Sequence, residues 1–442
     1  MANPLQESAV QSIELDAFAK DIPDLIAHND SLYSTMQSQA TKVPVSNITS
    51  AGGVTRPSFR VPLRVQGPLG IRQGTGDGDS IGRGTGSKWD AFAVSPVMVF
   101  SCHELTFLSQ AATEGRKRGL FDVSAQELKN SLDATINGLE GLMNGDGSGA
   151  IQQIPATATV SSGSGAGDQT SFISGLNSAA GFTDQQVISF FPSVGGATRG
   201  TATISYVDVT TQTLYFSTVL PSVGGASATG DFLMVQGSSG AANNSILGLK
   251  AWQVNSNTGF LAGVNRALHP GRISTPVIDL AGGALTVGVG TRAAILMGRA
   301  LGPDAESIKS AIWYGATDHA LTISNIYTNV LIANASQVTG DKPLDLGKKM
   351  FSPTFCGREF KYSYSADSTR VDLISPSTWY IPSLVDLELY DFGGGQTVVS
   401  VPDPAGNGYL SSYLMAYVTG FNLVNSNPRS GAYLKNVLAP TI

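Results

Sequence analysis

The chain has 442 residues, room for roughly two to four domains of ordinary size. Charged residues make up only 14% of it and the formal net charge is −6, which argues against a general nucleic-acid-binding surface. No apolar run approaches the ~20 residues of a membrane span; the most apolar window, Leu280 to Leu301, is broken by Gly282, Gly283, Gly288, Gly290 and Arg292.

Low charge also carries a positive message. Lys, Glu and Asp are depleted from the buried centres of protein–protein interfaces, so a chain this poor in them is expected to bury much of its surface against partners. A Ser/Thr/Gly-rich secreted β-protein has a similar composition, but MANPLQESAV has neither the basic nor the apolar region of a signal peptide. The sequence reads as a soluble chain.

Residues 1–57 read as an arm. Ile13 to Lys20 is helix-compatible, Pro23 interrupts, a second polar helix fits Asp24 to Gln39, and Val43-Pro44-Val45 is extended. Apolar positions here are too sparse to close a core, so the arm is expected to wrap a neighbour or to be partly disordered.

Residues 58–105 read as an extended hairpin. Apolar-alternating runs, Phe59 to Gln66 and Ala91 to Leu105, flank a glycine-rich tip from Gly67 to Trp89. Structureless loops beyond ~15 residues are uncommon inside compact domains and are usually functional or disordered. Arg72, Asp77, Asp79, Arg83, Lys88 and Trp89 are the candidate inter-subunit contacts of this tip.

A helix fits Leu105 to Lys117, and its basic cluster Arg116-Lys117-Arg118 reads either as a solvated helix end or as a DNA-facing phosphate contact. The best-marked element follows at 124–144. Ser124 and Glu127 form a capping box. Leu128, Leu132, Ile136, Leu139 and Leu142/Met143 make one apolar stripe, and Gly145 is expected to stop the helix.

From Val187 to Gln236 the period changes to two, and PSVGGA at 192–197 returns at 221–226. This reads as an antiparallel β-subdomain spanning 187–240, with strands at Ala202 to Val209, Gln212 to Val219 and Phe232 to Gln236. Helices are expected at Thr291 to Leu301 and Ala305 to Trp313. Strands are expected at Arg370 to Ile374, Trp379 to Ile381, Val385 to Tyr390 and Gln396 to Val401, and Leu410 to Val418 is a further apolar run. The class is α+β.

Chemistry is hard to find. Gly86-Ser87-Lys88-Trp89 misplaces the lysine of a P-loop and replaces its hydroxyl. Asp77-Gly78-Asp79-Ser80 lacks the glutamate of an EF-hand. Gly225-Ala226-Ser227-Ala228-Thr229 misses the hydrolase elbow, and His28, His103, His269 and His319 fit no metal spacing. Cys102-His103-Glu104 sits in a strand pattern, where adjacent residues point to opposite faces. Cys102 and Cys356 read as reduced thiols. No catalytic, cofactor or metal site is legible, and the sequence reads as non-enzymatic.

The order of elements resembles the major capsid proteins of tailed bacteriophages, the Hong Kong ninety-seven fold shared with encapsulins. Phe59-Arg60-Val61-Pro62-Leu63 with Gly74 to Gly86 is similar to the family's extended loop, and Ser124 to Met143 to its spine helix. Phe355 to Phe360, Leu373-Ile374-Ser375-Pro376 and Trp379-Tyr380-Ile381 are similar to the strands leading out of its axial domain.

The resemblance implies a peripheral domain at 106–186, the β-subdomain as an insertion, an axial domain at 241–370, and C-terminal strands at 371–442 returning to both. It implies hexamers and pentamers of this chain in an icosahedral shell around double-stranded DNA, held by weak non-specific contact. It further implies scaffolding, portal and decoration partners, assembly in the host cytoplasm, residence in the virion, and no membrane. Some members join a hairpin lysine to a neighbour's asparagine, which draws attention to Lys88. An encapsulin-like compartment shell and a phage tail or surface β-structural protein are the alternatives.

Overall fold

The computed structural model describes residues 31–45, 48–51, 54–67, 86–106, 123–162, 171–179, 181–221, 229–237, 245–301, 306–324, 326, 354–402 and 409–438. The strongest helical pattern forms the longest helix among them, Val123–Met143, 21 residues and about 30 Å long. It starts one residue before Ser124. The side chains of its first turn, and so the capping box, lie outside the described residues, as do Ile13 to Lys20 and the segment 107–122. Leu139, Leu142 and Met143 are buried. The helix ends at Met143, two residues before the expected Gly145, whose N–H closes the last turn on Leu142 O at 3.0 Å; the first left-handed residue beyond it is Gly147 (φ +88°).

One sheet lies across this spine helix. Val97–Thr106 runs antiparallel to Tyr409–Phe421 along its whole length, from Val97 opposite Phe421 to Thr106 opposite Ser412. Trp379–Leu389 and Val399–Pro402 pair with the other edge. The Tyr417 hydroxyl donates to Leu128 O at 3.3 Å, and His103 Nδ1 shares a hydrogen bond with Ser131 Oγ at 3.0 Å. The two strand segments expected at Trp379 to Ile381 and Val385 to Tyr390 are one bulged strand.

The run Ala91 to Leu105 is, by contrast, two strands. Lys88–Val94 pairs with Phe59–Gln66 in the hairpin, whereas Val97–Thr106 belongs to the spine sheet. Pro96 separates them, lacking an N–H and restricting Ser95 before it.

A second six-stranded sheet runs in the order Val277–Asp279, Ala432–Lys435, Arg370–Ile374, Ile312–Ala316, Arg358–Ser363, Thr354–Phe355. Ala293 and Met297 of the helix Val287–Leu301 pack on one face with Trp313, Phe355 and Phe360. Ile312, Tyr314 and Ala316 face the other way, into a core with Trp252, Trp379 and the end of the spine helix. All five residues of Ile312–Ala316 are buried. The expected helix from Ala305 to Trp313 is therefore only Glu306–Lys309. A strand covered on both faces gives a continuous apolar run whose period does not distinguish it from a helix.

The third sheet is larger than its sequence boundary of 187. Its seven strands are Ala150–Gln153, Phe232–Val235, Val187–Phe191, Gly200–Asp208, Thr213–Phe216, Ser171–Ser174 and Thr159–Ser161, in that order. The three early strands have four residues or fewer, too short to show a period of two. They close a separate core of Ile173, Ile188, Phe190, Ile204, Leu214, Phe216 and Leu233. The ends of the unit meet where Val235 N donates to Gly149 O at 3.2 Å.

The arm also departs from expectation. Within it, Ser31–Gln39 is a helix whose Leu32 and Met36 are fully buried in their own subunit. Thr41–Pro44 then adds a parallel strand beside Trp379–Leu389, with Thr41 opposite Tyr380. Sparse apolar residues suffice because the docking is partly polar. Glu140 of the spine helix accepts hydrogen bonds from Leu32 N at 2.9 Å and Tyr33 N at 2.7 Å. Residues 31–45 therefore belong to their own subunit rather than to a neighbour.

Two outcomes test this architecture. A Cβ on Gly248 would lie 2.1 Å from Met143 O and 2.7 Å from Gly145 O. Gly248→Ala is expected to destabilise by about 3 kcal/mol or more, because backbone on both sides leaves no room to relax; denaturant unfolding measures it. Excising 150–236 and joining Gly149 to Gly237 is expected to leave a soluble remainder. Excising only 187–236 strips Ile173 and its neighbours of cover, and insoluble protein is expected.

Candidate assembly interface

The hairpin root has two chemically distinct faces, dictated by strand alternation. Val61, Val65, Phe92 and Val94 point inward and are buried. Phe92 meets Trp252 edge to face, with ring centroids 4.9 Å apart. Two polar contacts fix the same side: Asp90 Oδ2 pairs with His269 Nε2 at 3.0 Å, and Ala93 N donates to Ala262 O at 2.8 Å.

The opposite face carries Arg60, Pro62, Arg64 and Gln66, all exposed. Arg64 stands opposite Trp89, whose side chain is 65% exposed. An exposed indole across from Arg64, with Arg60 further along the same face, is the composition of an interface centre, where Trp and Arg are enriched. The alternation Phe59-Arg60-Val61-Pro62-Leu63-Arg64 signals this face in the sequence and puts Arg60 and Arg64 on its outward side, apart from the glycine-rich tip.

Of the contacts expected from the sequence, Lys88 and Trp89 open the returning strand, with Lys88 opposite Gln66. Arg72, Asp77, Asp79 and Arg83 lie outside the described residues, as does the basic cluster Arg116, Lys117, Arg118. Among the described residues no group of three or more His, Cys, Asp or Glu side chains is placed to hold a metal. Cys102 and His103 do point to opposite sides of their strand. Burial raises the Cys102 thiol and lowers the His103 imidazole from their ordinary values.

A second surface lies on the side of the spine sheet away from its helix. Phe100 (54% exposed) stacks edge to face on Tyr390 at 5.8 Å, and Tyr390 on Phe392 at 5.0 Å. Met98 beside them bends over Gly420, where a Cβ would meet its sulfur at 2.5 Å. Glu388, opposite Val418 as Phe100 is, adds negative charge to the same face.

No family model matches the sequence, and no curated protein matches it either. Solved structures do match. The capsid asymmetric unit of cyanophage A-1(L) superposes over 96% of this chain and 97% of its own, at a TM-score of 0.55 and 10% identity. The fold is that of a phage capsid subunit. The capsid of a native gene-transfer-agent (GTA) particle has a TM-score of 0.46 at 10% identity, covering 95% of this chain and 94% of its own. The capsid of Myoviridae phage XM1 has a TM-score of 0.45 at 8% identity, covering 99% of this chain and 100% of its own.

The two-faced hairpin makes a paired prediction on one strand. Phe92→Ala is expected to cost about 3–5 kcal/mol by emptying a core site, while Trp89→Ala changes stability by no more than about 0.5 kcal/mol. Denaturant midpoints of the two variants check the assignment.

Proposed function

We propose that this chain is the shell-forming subunit of a tailed-phage head, assembling as hexamers and pentamers into an icosahedral shell around double-stranded DNA. The observation that carries the reading is the whole-length match to a capsid asymmetric unit, with almost no residue left over on either side. The outward Arg60, Arg64 and Trp89 of the hairpin, the exposed Phe100–Tyr390 face and the 14% charge content support it. A tail or surface β-structural protein would be strands throughout, and the 21-residue spine helix fits it poorly.

On this reading the spine helix and its sheet form the peripheral domain. The second six-stranded sheet forms the axial domain, completed by the late strand Ala432–Lys435. The seven-stranded unit is an insertion presented on the outer surface. The hairpin lays its Arg/Trp face on an adjacent copy, where many weak contacts around a capsomer reinforce one another. The role is structural, its place is the virion, and a separate scaffolding protein assists assembly in the host cytoplasm. No helix among the described residues is long and apolar enough to cross a membrane.

Negative-stain microscopy of the full chain, alone and with the scaffold co-expressed, is expected to show shells or capsomers. A monodisperse monomer under every salt and concentration condition overturns the proposal. Trp89→Ala combined with Arg64→Glu, and separately deletion of residues 74–86, are each expected to leave a folded subunit that builds no normal particles. Normal particles from both would remove the hairpin from the assembly contact.

A further inference from the structure

Glu140 is fully buried three residues before the end of the spine helix. Its carboxyl collects donors from three other parts of the molecule. Oε1 accepts from Leu32 N at 2.9 Å and from the Tyr314 hydroxyl at 3.0 Å, and Oε2 accepts from Tyr33 N at 2.7 Å. Ser363 adds a side-chain hydrogen bond. Leu32 and Tyr33 are in the first turn of the helix Ser31–Gln39, whose free amides and positive dipole end attract an anion.

No lysine or arginine among the described residues pairs with Glu140. The groups around it are Tyr314 from the axial sheet, Ser363 beyond it, Asn144 one turn along its own helix, and Tyr33, whose phenol feels Asp386. Two ion pairs, Lys250–Asp367 at 3.0 Å and Arg370–Asp372 at 2.7 Å, line a small cavity together with Tyr314 and are matched within themselves.

We propose that Glu140 is a proton-operated latch that sets how tightly the helix Ser31–Gln39 and the strand after it stay docked on the subunit. The inference stands apart from the shell reading, since it concerns the isolated fold. Burial without a cation raises the Glu140 carboxyl from 4.5 to about 7, against the lowering by its four hydrogen bonds. Burial and charge likewise hold the Tyr314 hydroxyl protonated as a donor. Undocking the helix returns water to the carboxyl and its pKa falls towards the ordinary value. The docked state then holds the proton more tightly than the undocked one. Docking is strongest below the ordinary value and weakens as pH rises through about 7.

Hydrogen–deuterium exchange of residues 31–45 in the full chain, corrected at each pH for intrinsic exchange rate, reads the latch. Between pH 5.5 and 8 the opening equilibrium is expected to rise about thirtyfold. Glu140→Gln is expected to flatten that rise. Tyr314→Phe removes a donor that favours the ionised form, so the transition is expected to move to higher pH. His103→Gln, which alters a histidine on the spine sheet, is expected to leave the profile unchanged. Should Glu140→Gln fail to fold, the direction of the Tyr314→Phe shift decides. A pH-independent wild type, a profile that persists in Glu140→Gln, or a Tyr314→Phe transition that stays put or moves down overturns the proposal.

Discussion

Every layer of the molecule meets at the last turns of the spine helix, and the fold depends on how closely they pack there. Gly248 brings the chain entering the second sheet against the Met143 and Gly145 carbonyls. Gly141 lies against Gly181 of the inserted unit, where a Cβ would come within 2.7 Å of backbone oxygen. Glu140 ties down the N-terminal helix and Tyr314. A few steps away, Asn422 accepts from Leu247 N and Leu423 N, each at 2.8 Å, and donates to Ser95 O at 2.9 Å. Segments hundreds of residues apart are held by small residues that allow close approach and by buried polar groups that satisfy one another.

That junction explains why three cores behave as one molecule. The inserted sheet has its own apolar interior, yet Ser178 Oγ donates to Tyr364 O and Asn144 Nδ2 to Ser365 Oγ. The axial sheet is covered on one face by its helix and on the other by the shared core around Trp252 and Trp379. With little charge available, specificity at these seams comes from neutral hydrogen bonds and from shape. The same scarcity of charge leaves aromatic and arginine side chains, Phe100, Tyr390, Trp89 and Arg64, as the conspicuous features of the outward faces.

The hairpin shows how a projecting element is aimed. Its inner face is locked by Phe92 on Trp252 and by the Asp90–His269 pair, so the root does not swing freely. Its outer face is consequently presented in one direction. A rigid root limits the conformational entropy lost when a partner docks.

Local pattern was enough for elements with one buried face and for turns with dedicated residues. The stripe from Leu128 to Met143 gave the spine helix, and alternation gave the strands Gly200–Asp208 and Thr213–Phe216. Through the order of such elements the capsid fold itself was legible. Tertiary structure alone decided the rest, because periodicity reports only which side of an element is dry. Trp313 sits in a strand buried on both faces, and its run carried no period to read. The strands Ala150–Gln153 and Ser171–Ser174 are too short to have one, and only their partners, Phe232–Val235 and Thr213–Phe216, define them. The docking of Ser31–Gln39 rests on a carboxyl more than a hundred residues away in sequence, a polar contact between distant segments that no local pattern encodes.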